Sequence, residues 1–435
     1  MTARIEDGFS FRTIFRRAVQ AMIATPMLVA IFLLALIAAE RAPSAPIVRH
    51  IVEDQELFAA SRLRVLTGRK IDVGTECLGL SFGLPPAEVG ENLFERAVRA
   101  RVFTTCPALI DYVSTGAVAE DQVTDYHRYW HGYAVLSRPL LALMPYHNLR
   151  MLTFNLVLAL FVALGFKLSK DFGVKFAFAV LLPFYFVNYA GFFILWTKAV
   201  TLITALAGAL YFSQARKPYE RDPLFAFFIL GALTAFFDLL TTPLLIFGFP
   251  AYVYFFYLLK RGGAPGPRAL LQRLLAIGGF WFAGYGGLWT VRFALSALVI
   301  GPEAINEILA TAANRINGDW DSVKHFIGAA SLENFEAFKP LWGGAAFLVF
   351  FVLPFVRRRR RIAAAALLRR APVFAALALA PFVWFEILSN HSQIHGLFTH
   401  ANLILTFIPL SLILFEETGH LVGSAQSPAH KEKHQ

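Results

Sequence analysis

The sequence predicts an all-α polytopic membrane protein with about ten transmembrane helices and a large first extracytoplasmic loop. Three observations predict it. Apolar residues make up 57% of the chain and charged residues 16%, with a mean hydropathy of +0.57, which excludes an ordinary soluble domain. Apolar runs long enough to cross a bilayer recur along the chain, and basic residues collect at alternate ends of those runs. The net charge of +11 therefore reads as membrane orientation, and nucleic-acid binding is excluded.

The runs fall at 18–39, 149–166, 174–188, 192–213, 223–239, 242–259, 274–292, 341–356, 371–388 and 400–415. The first is too long for the apolar core of a signal peptide, and its exit, Glu40-Arg41-Ala42-Pro43, lacks a small-residue cleavage pattern, so it is expected to stay as span one. An even number of spans puts both termini on one side. Arg12, Arg16 and Arg17, then Lys167, Lys170 and Lys175, then Arg216, Lys217 and Arg221, then Lys260, Arg261 and Arg268, and finally Arg357 to Arg361 with Arg369 and Arg370 all then face the cytoplasm. The chain divides into a cytoplasmic N-terminus and first span (1–39), an extracytoplasmic loop with interfacial helices (40–148), a transmembrane block (149–292), a second extracytoplasmic segment (293–340), further spans (341–415) and a cytoplasmic tail (416–435).

A loop as long as 40–148 usually carries function. Within it, Val52–Arg64, Ala87–Val102 and Tyr133–Met144 read as short helices, the last lying in the interface; Ala304–Ile316 reads as a helix of the second segment. The only two cysteines, Cys77 and Cys106, both fall in the first loop, where an oxidising compartment favours a disulfide. That pairing agrees with the orientation drawn from the basic residues.

Chemistry-bearing residues gather on the same side. Glu53, Asp54, Asp72 and Glu76 are first-loop carboxylates that could take a proton from an acceptor hydroxyl; Glu76 stands beside a turn glycine, a threonine and Cys77, whereas Glu53 and Asp54 also read as a solvated helix face. The run from Asp125 to Tyr133, with Arg138 beyond, concentrates His127, Arg128, Tyr129, His131 and Tyr133. Arginine and imidazolium there could meet a phosphate on a lipid; the plainer reading is an interfacial aromatic and basic belt. Asp238 and Lys198 are ionisable groups in apolar surroundings, expected to line the interior, with a structural ion pair as the bland alternative. His391, Gln393, His395 and His400 crowd one short outer segment and could bind a sugar or phosphate. No phosphate-binding glycine loop or cytosolic domain is visible. An activated substrate on the outer face should then arrive as a lipid.

This arrangement resembles the GT-C superfamily of membrane glycosyltransferases. The likeness rests on the large acidic first outer loop, the interfacial helix before span two and the second outer helical segment. Tyr129-Trp130-His131-Gly132-Tyr133 with Arg138-Pro139-Leu140, Phe237-Asp238-Leu239-Leu240-Thr241 and Asn390-His391-Ser392-Gln393-Ile394-His395 also look like a bacterial branch of polytopic proteins. No adjacent acidic pair marking the base in better-known members is present. The resemblance implies a bacterial inner-membrane enzyme with its active site on the extracytoplasmic face. It would pass a sugar from a polyprenyl-phosphate donor to a glycan or lipid-linked acceptor, with inversion, in contact with membrane lipid. A first-loop carboxylate would be the base, with His127, Arg128, His131 and Arg138 on the donor phosphate. A divalent cation could assist, although nothing in the sequence requires one. The competing expectations are a transporter or flippase of a lipid-linked or anionic solute, coupled through Asp238 and Lys198, and a non-catalytic assembly partner.

Overall fold

A computed structural model describes residues 9–59, 73–214, 223–261, 265–318, 322–336 and 348–422. It is about 81% helical, and the described strands form one two-stranded pair, so the all-α reading holds. Among the described residues five helices are long and apolar enough to cross a membrane: α1 (Phe11–Glu40) and the spans starting at Tyr146, Pro243, Pro267 and Gly396. A sixth forms if Arg358–Arg370 and Val373–Ile387, bent by 89° at their junction, count as one span.

After α1 come α2 (Ser44–Glu53), α3 (Gln55–Ala59), α4 (Val73–Ser81), α5 (Leu93–Arg99), strand β1 (Arg101–Phe103), α6 (Cys106–Thr115), strand β2 (Val123–Asp125) and α7 (Ala134–Leu143). The helix expected over Tyr133–Met144 thus appears one residue inside each expected bound. The helix expected over Ala87–Val102 is shorter. A capping box between Asn92 and Glu95 starts it late, and Ala100, in the left-handed region at φ 53°, stops it. Arg101 then enters the strand, paired antiparallel with Asp125. Val52–Arg64 is broken at Asp54, and from residue 60 it lies outside the described residues. Helices α4 and α6 escape sequence reading because neither is long or strongly amphipathic. The expected disulfide joins them, Cys77 to Cys106.

The bundle follows as α8 (Tyr146–Phe172), α9 (Val174–Ile194), α10 (Trp196–Gln214), α11 (Pro223–Phe237), α12 (Pro243–Arg261) and α13 (Pro267–Ile300). Helices α14 (Glu303–Asn317) and α15 (Ala329–Glu336) come next, then α16 (Arg358–Arg370), α17 (Val373–Ile387), α18 (Ser389–Ile394) and α19 (Ile404–Leu414). Burial separates centre from rim: 89% of the apolar window of α12 is buried, against 17% for α1 and 22% for α8. Met22, Ile23 and Leu34 on α1 and Phe166 on α8 are exposed, a surface suited to acyl chains and costly in water. Helices α11 and α13 touch backbone to backbone. A Cβ on Gly231 would stand 1.9 Å from the Trp281 carbonyl oxygen, and one on Gly284 would stand 2.1 Å from that of Phe228.

The disulfide closes a loop of 29 residues in sequence separation, for which the chain-entropy argument gives about 3–4 kcal/mol. Cys77→Ser with Cys106→Ser should lower the thermal midpoint of the purified chain markedly, and the wild type under reductant should reproduce the drop. An unchanged midpoint in both would show that α4 and α6 are held without the bond.

Candidate functional site

The Tyr126–Tyr133 segment is a packed knot. His131 is buried with φ 58°, its Nε2 is 2.8 Å from the Tyr126 carbonyl oxygen, and its Nδ1 is 2.6 Å from the Tyr133 hydroxyl. A carbonyl only accepts, so Nε2 carries the proton and the phenol donates to Nδ1. Burial pushes the His131 pKa down to about 3, and burial raises that of Tyr133, so both stay neutral. The imidazolium expected at His131 is therefore corrected: desolvation without a carboxylate keeps it uncharged. Arg138 is corrected too. It is buried, and it donates to the carbonyls of Ala39, Phe82 and Ala42 at 2.7–3.1 Å, tying α7 to the end of α1.

His127 and Arg128 both meet Glu307 of α14, at 2.7 and 3.0 Å. Tyr129 is buried, with the Arg315 guanidinium of α14 lying 5.5 Å from its ring centre. Burial leads the rise of its phenol to about 12. Gly132 is required by contact, since a Cβ there would stand 2.3 Å from the Phe236 ring, and its N–H bonds the Phe236 carbonyl.

Glu76 is 1% exposed and accepts four hydrogen bonds. The Tyr146 hydroxyl (2.5 Å) and Trp196 N–H (2.7 Å) reach one oxygen; the Thr197 N–H (3.2 Å) and hydroxyl (2.8 Å) reach the other. With every lone pair engaged and no solvent access, the carboxylate caps α10 rather than facing an acceptor. Asp54 differs. It accepts from the backbone N–H of His147 at 2.8 Å and from its Nδ1 at 3.0 Å, and the imidazole is 53% exposed. Glu53 is exposed at the end of α2, and Asp72 lies outside the described residues.

Asp238 is buried and caps the turn into α12: it accepts from the N–H groups of Thr241 and Thr242 and from the hydroxyls of Thr241 and Thr201. His391 donates from Nε2 to the Leu240 carbonyl at 2.9 Å in that same turn. Its pKa is pushed down to about 3, by burial first and then by the charges of His395 and Arg315. The rings of His391 and His395 are 4.7 Å apart, His395 stacks on Phe398 at 5.0 Å, and the Lys198 ammonium stands 4.9 Å over Phe398. Gln393 clamps the backbone of Lys324 in both directions, and His400 faces the carbonyls of Gly396 and Val187; both positions are structural.

Two sets of contacts result: the Arg315 guanidinium lies on the Tyr129 ring, and His391, His395, Phe398 and Lys198 touch in series, with His391 bonded to the turn that Asp238 caps. Sequence reading missed Arg315, Glu307, Tyr146 and His147. Arg315 sits in an amphipathic helix where a last-turn arginine is ordinary, and His147 gains meaning only once Asp54 is beside it. Among the described residues no group of three or more His, Cys, Asp or Glu gathers to hold a metal ion. No family model, curated protein or solved structure matches this chain.

Two measurements check this geometry. His131 and His391 have folded pKa values of about 3, below the roughly 6.5 of a free imidazole, so the unfolded chain binds more protons between those limits. Native stability should hold above about pH 6.5 and fall as pH drops towards 3, and His391→Asn should flatten the slope of thermal midpoint against pH over that window. A slope unchanged in the variant would remove His391 from the account. Glu76→Gln places an amide N–H₂ among donors and should destabilise the fold by about 3 kcal/mol in denaturant titration. A near-wild-type midpoint would leave the clamp without energetic weight.

Proposed function

We propose that the chain is an inner-membrane glycosyltransferase of the GT-C kind. It takes a sugar from a polyprenyl-phosphate donor and passes it, with inversion, to a glycan or lipid-linked acceptor on the outer face. Ten spans, cytoplasmic termini and an outer active site belong to this proposal; alternating basic clusters and the disulfide in the first loop support them.

The observation that carries the reading is a pair of cation–ring contacts on buried aromatic side chains. Arg315 lies on the Tyr129 ring and Lys198 on the Phe398 ring, on which His395 stacks. Cations stabilise a departing phosphate monoester, and aromatic faces suit a sugar or the first isoprene units. For the base we assign Asp54 acting through His147: the carboxylate holds Nδ1–H and leaves Nε2 as the acceptor of the hydroxyl proton. Connectivity supports this pairing, since Tyr146, next to His147, bonds Glu76, which in turn bonds Thr197, next to Lys198. In the step, the acceptor O–H proton passes to His147 Nε2 as its oxygen bonds the anomeric carbon. The bond from that carbon to the phosphate oxygen breaks, and polyprenyl phosphate leaves with the electron pair. The transporter reading is weaker, because Asp238 is committed to the start of α12.

The test is transfer of label from a panel of synthetic polyprenyl-phosphate sugars by the purified chain. Asp54→Asn should keep donor binding and lose about 10²–10⁴ in turnover, the range for one acid–base group. Arg315→Gln should weaken donor binding. Donor binding without turnover in wild type would move the chain to the transporter or assembly-partner class. Full turnover in Asp54→Asn would return the base to the other first-loop carboxylates.

A further inference from the structure

Seven arginines, Arg357 to Arg361 with Arg369 and Arg370, bracket α16, and no acidic residue lies between them. The chain is extended at Arg357 and turns at Ala371 before Pro372, so α17 leaves at 89° to α16. With the apolar α17 taken as the membrane-crossing arm of the pair, α16 lies in the plane of the membrane. It cannot be a dipping hairpin arm, because arginines at both ends would carry guanidinium groups into hydrocarbon. Ala364 and Leu367 are buried and hold α16 against the bundle, whereas Ile362 is 59% exposed and Leu368 57%. Glu416 takes Arg360 at 3.5 Å and Arg357 at 4.0 Å. Among the described residues no ion pair engages Arg358, Arg359 or Arg361, and all three are exposed.

Orientation in the membrane asks only for positive charge in a loop. It does not ask for an in-plane helix with exposed apolar side chains between two arginine clusters. We propose that α16 is a binding site for anionic phospholipid head groups on the cytoplasmic leaflet. Arg358, Arg359 and Arg361 meet the phosphates, and Ile362 and Leu368 enter the acyl boundary. The inference shares the orientation reading with the proposed function and is independent of the transferase chemistry.

The test compares spin-labelled phosphatidylglycerol with spin-labelled phosphatidylcholine around the full chain in phosphatidylcholine vesicles. Wild type should prefer phosphatidylglycerol, and molar salt should remove the preference. The triple change Arg358→Gln, Arg359→Gln and Arg361→Gln should bring the ratio close to unity. The same three changed to lysine should keep the preference, as should a control with Arg12, Arg16 and Arg17 changed to glutamine. No preference in wild type, the outcome expected if α16 instead serves an acidic protein, overturns the proposal. So does a preference that survives the glutamine triple, or one lost in the control or the lysine triple.

Discussion

Glu76 sits where a carboxylate is expensive, inside the junction of α4, α8 and α10, and it is tolerable there because four donors replace the water it has left. Two of those donors are the first N–H groups of α10, which have no partner within their own helix. The bond is thus reciprocal: the helix start needs an anion, and the anion needs a helix start. Because Tyr146 opens α8 and Trp196 opens α10, one side chain fixes where two long helices begin. The disulfide at the next residue, Cys77, holds α4 so that Glu76 cannot drift. Lys198 follows one residue after the clamp, so the placement of that cation depends on it.

A second set of polar residues does the same for the rest of the loop. Arg292 of α13 is fully buried and donates to the carbonyls of His127, Ala97 and Val98, while Trp130 donates to Leu288. Arg138 closes the other side through Ala39, Phe82 and Ala42. Removing any of these guanidinium groups would leave two or more buried carbonyls unpaired, a cost larger than the bonds themselves. The loop is thereby a rigid cap on the bundle, welded at points where irregular backbone would otherwise lie unsatisfied near the membrane.

Much of the architecture was legible because its signals are local. Apolar length marked α1, α8 and α12, and two cysteines in one loop announced their bond. The helix over Ala134–Leu143 was found from its period. Ala87–Val102 failed because a left-handed alanine leaves no mark in the sequence, whereas α4 and α6 are short and stabilised by a disulfide and by burial. The site residues divide along the same line. His131 and Arg138 were read as phosphate ligands and Glu76 as a base, but residue type alone does not say whether a buried polar group faces a ligand or a carbonyl. That is decided by partners distant in sequence: Tyr146 is 70 residues from Glu76, and Ala39 is 99 from Arg138. Arg315 was passed over for the converse reason, since its context is ordinary and its ring partner, Tyr129, is far away in sequence.

Arginine is used differently in two parts of the fold. Around the helices that follow α1, cations are withdrawn one after another: Arg138 and Arg292 into carbonyls, Arg128 onto Glu307, and Arg96, Arg99 and Arg101 into a network with Glu40, Glu88, Glu91 and Asp125. The Arg315 guanidinium lies 5.5 Å from the centre of the Tyr129 ring, and the Lys198 ammonium stands 4.9 Å over Phe398. On α16, Arg358, Arg359 and Arg361 are instead exposed, with no ion pair among the described residues, so the same residue type is committed to protein partners in one part of the fold and presented at the surface in the other.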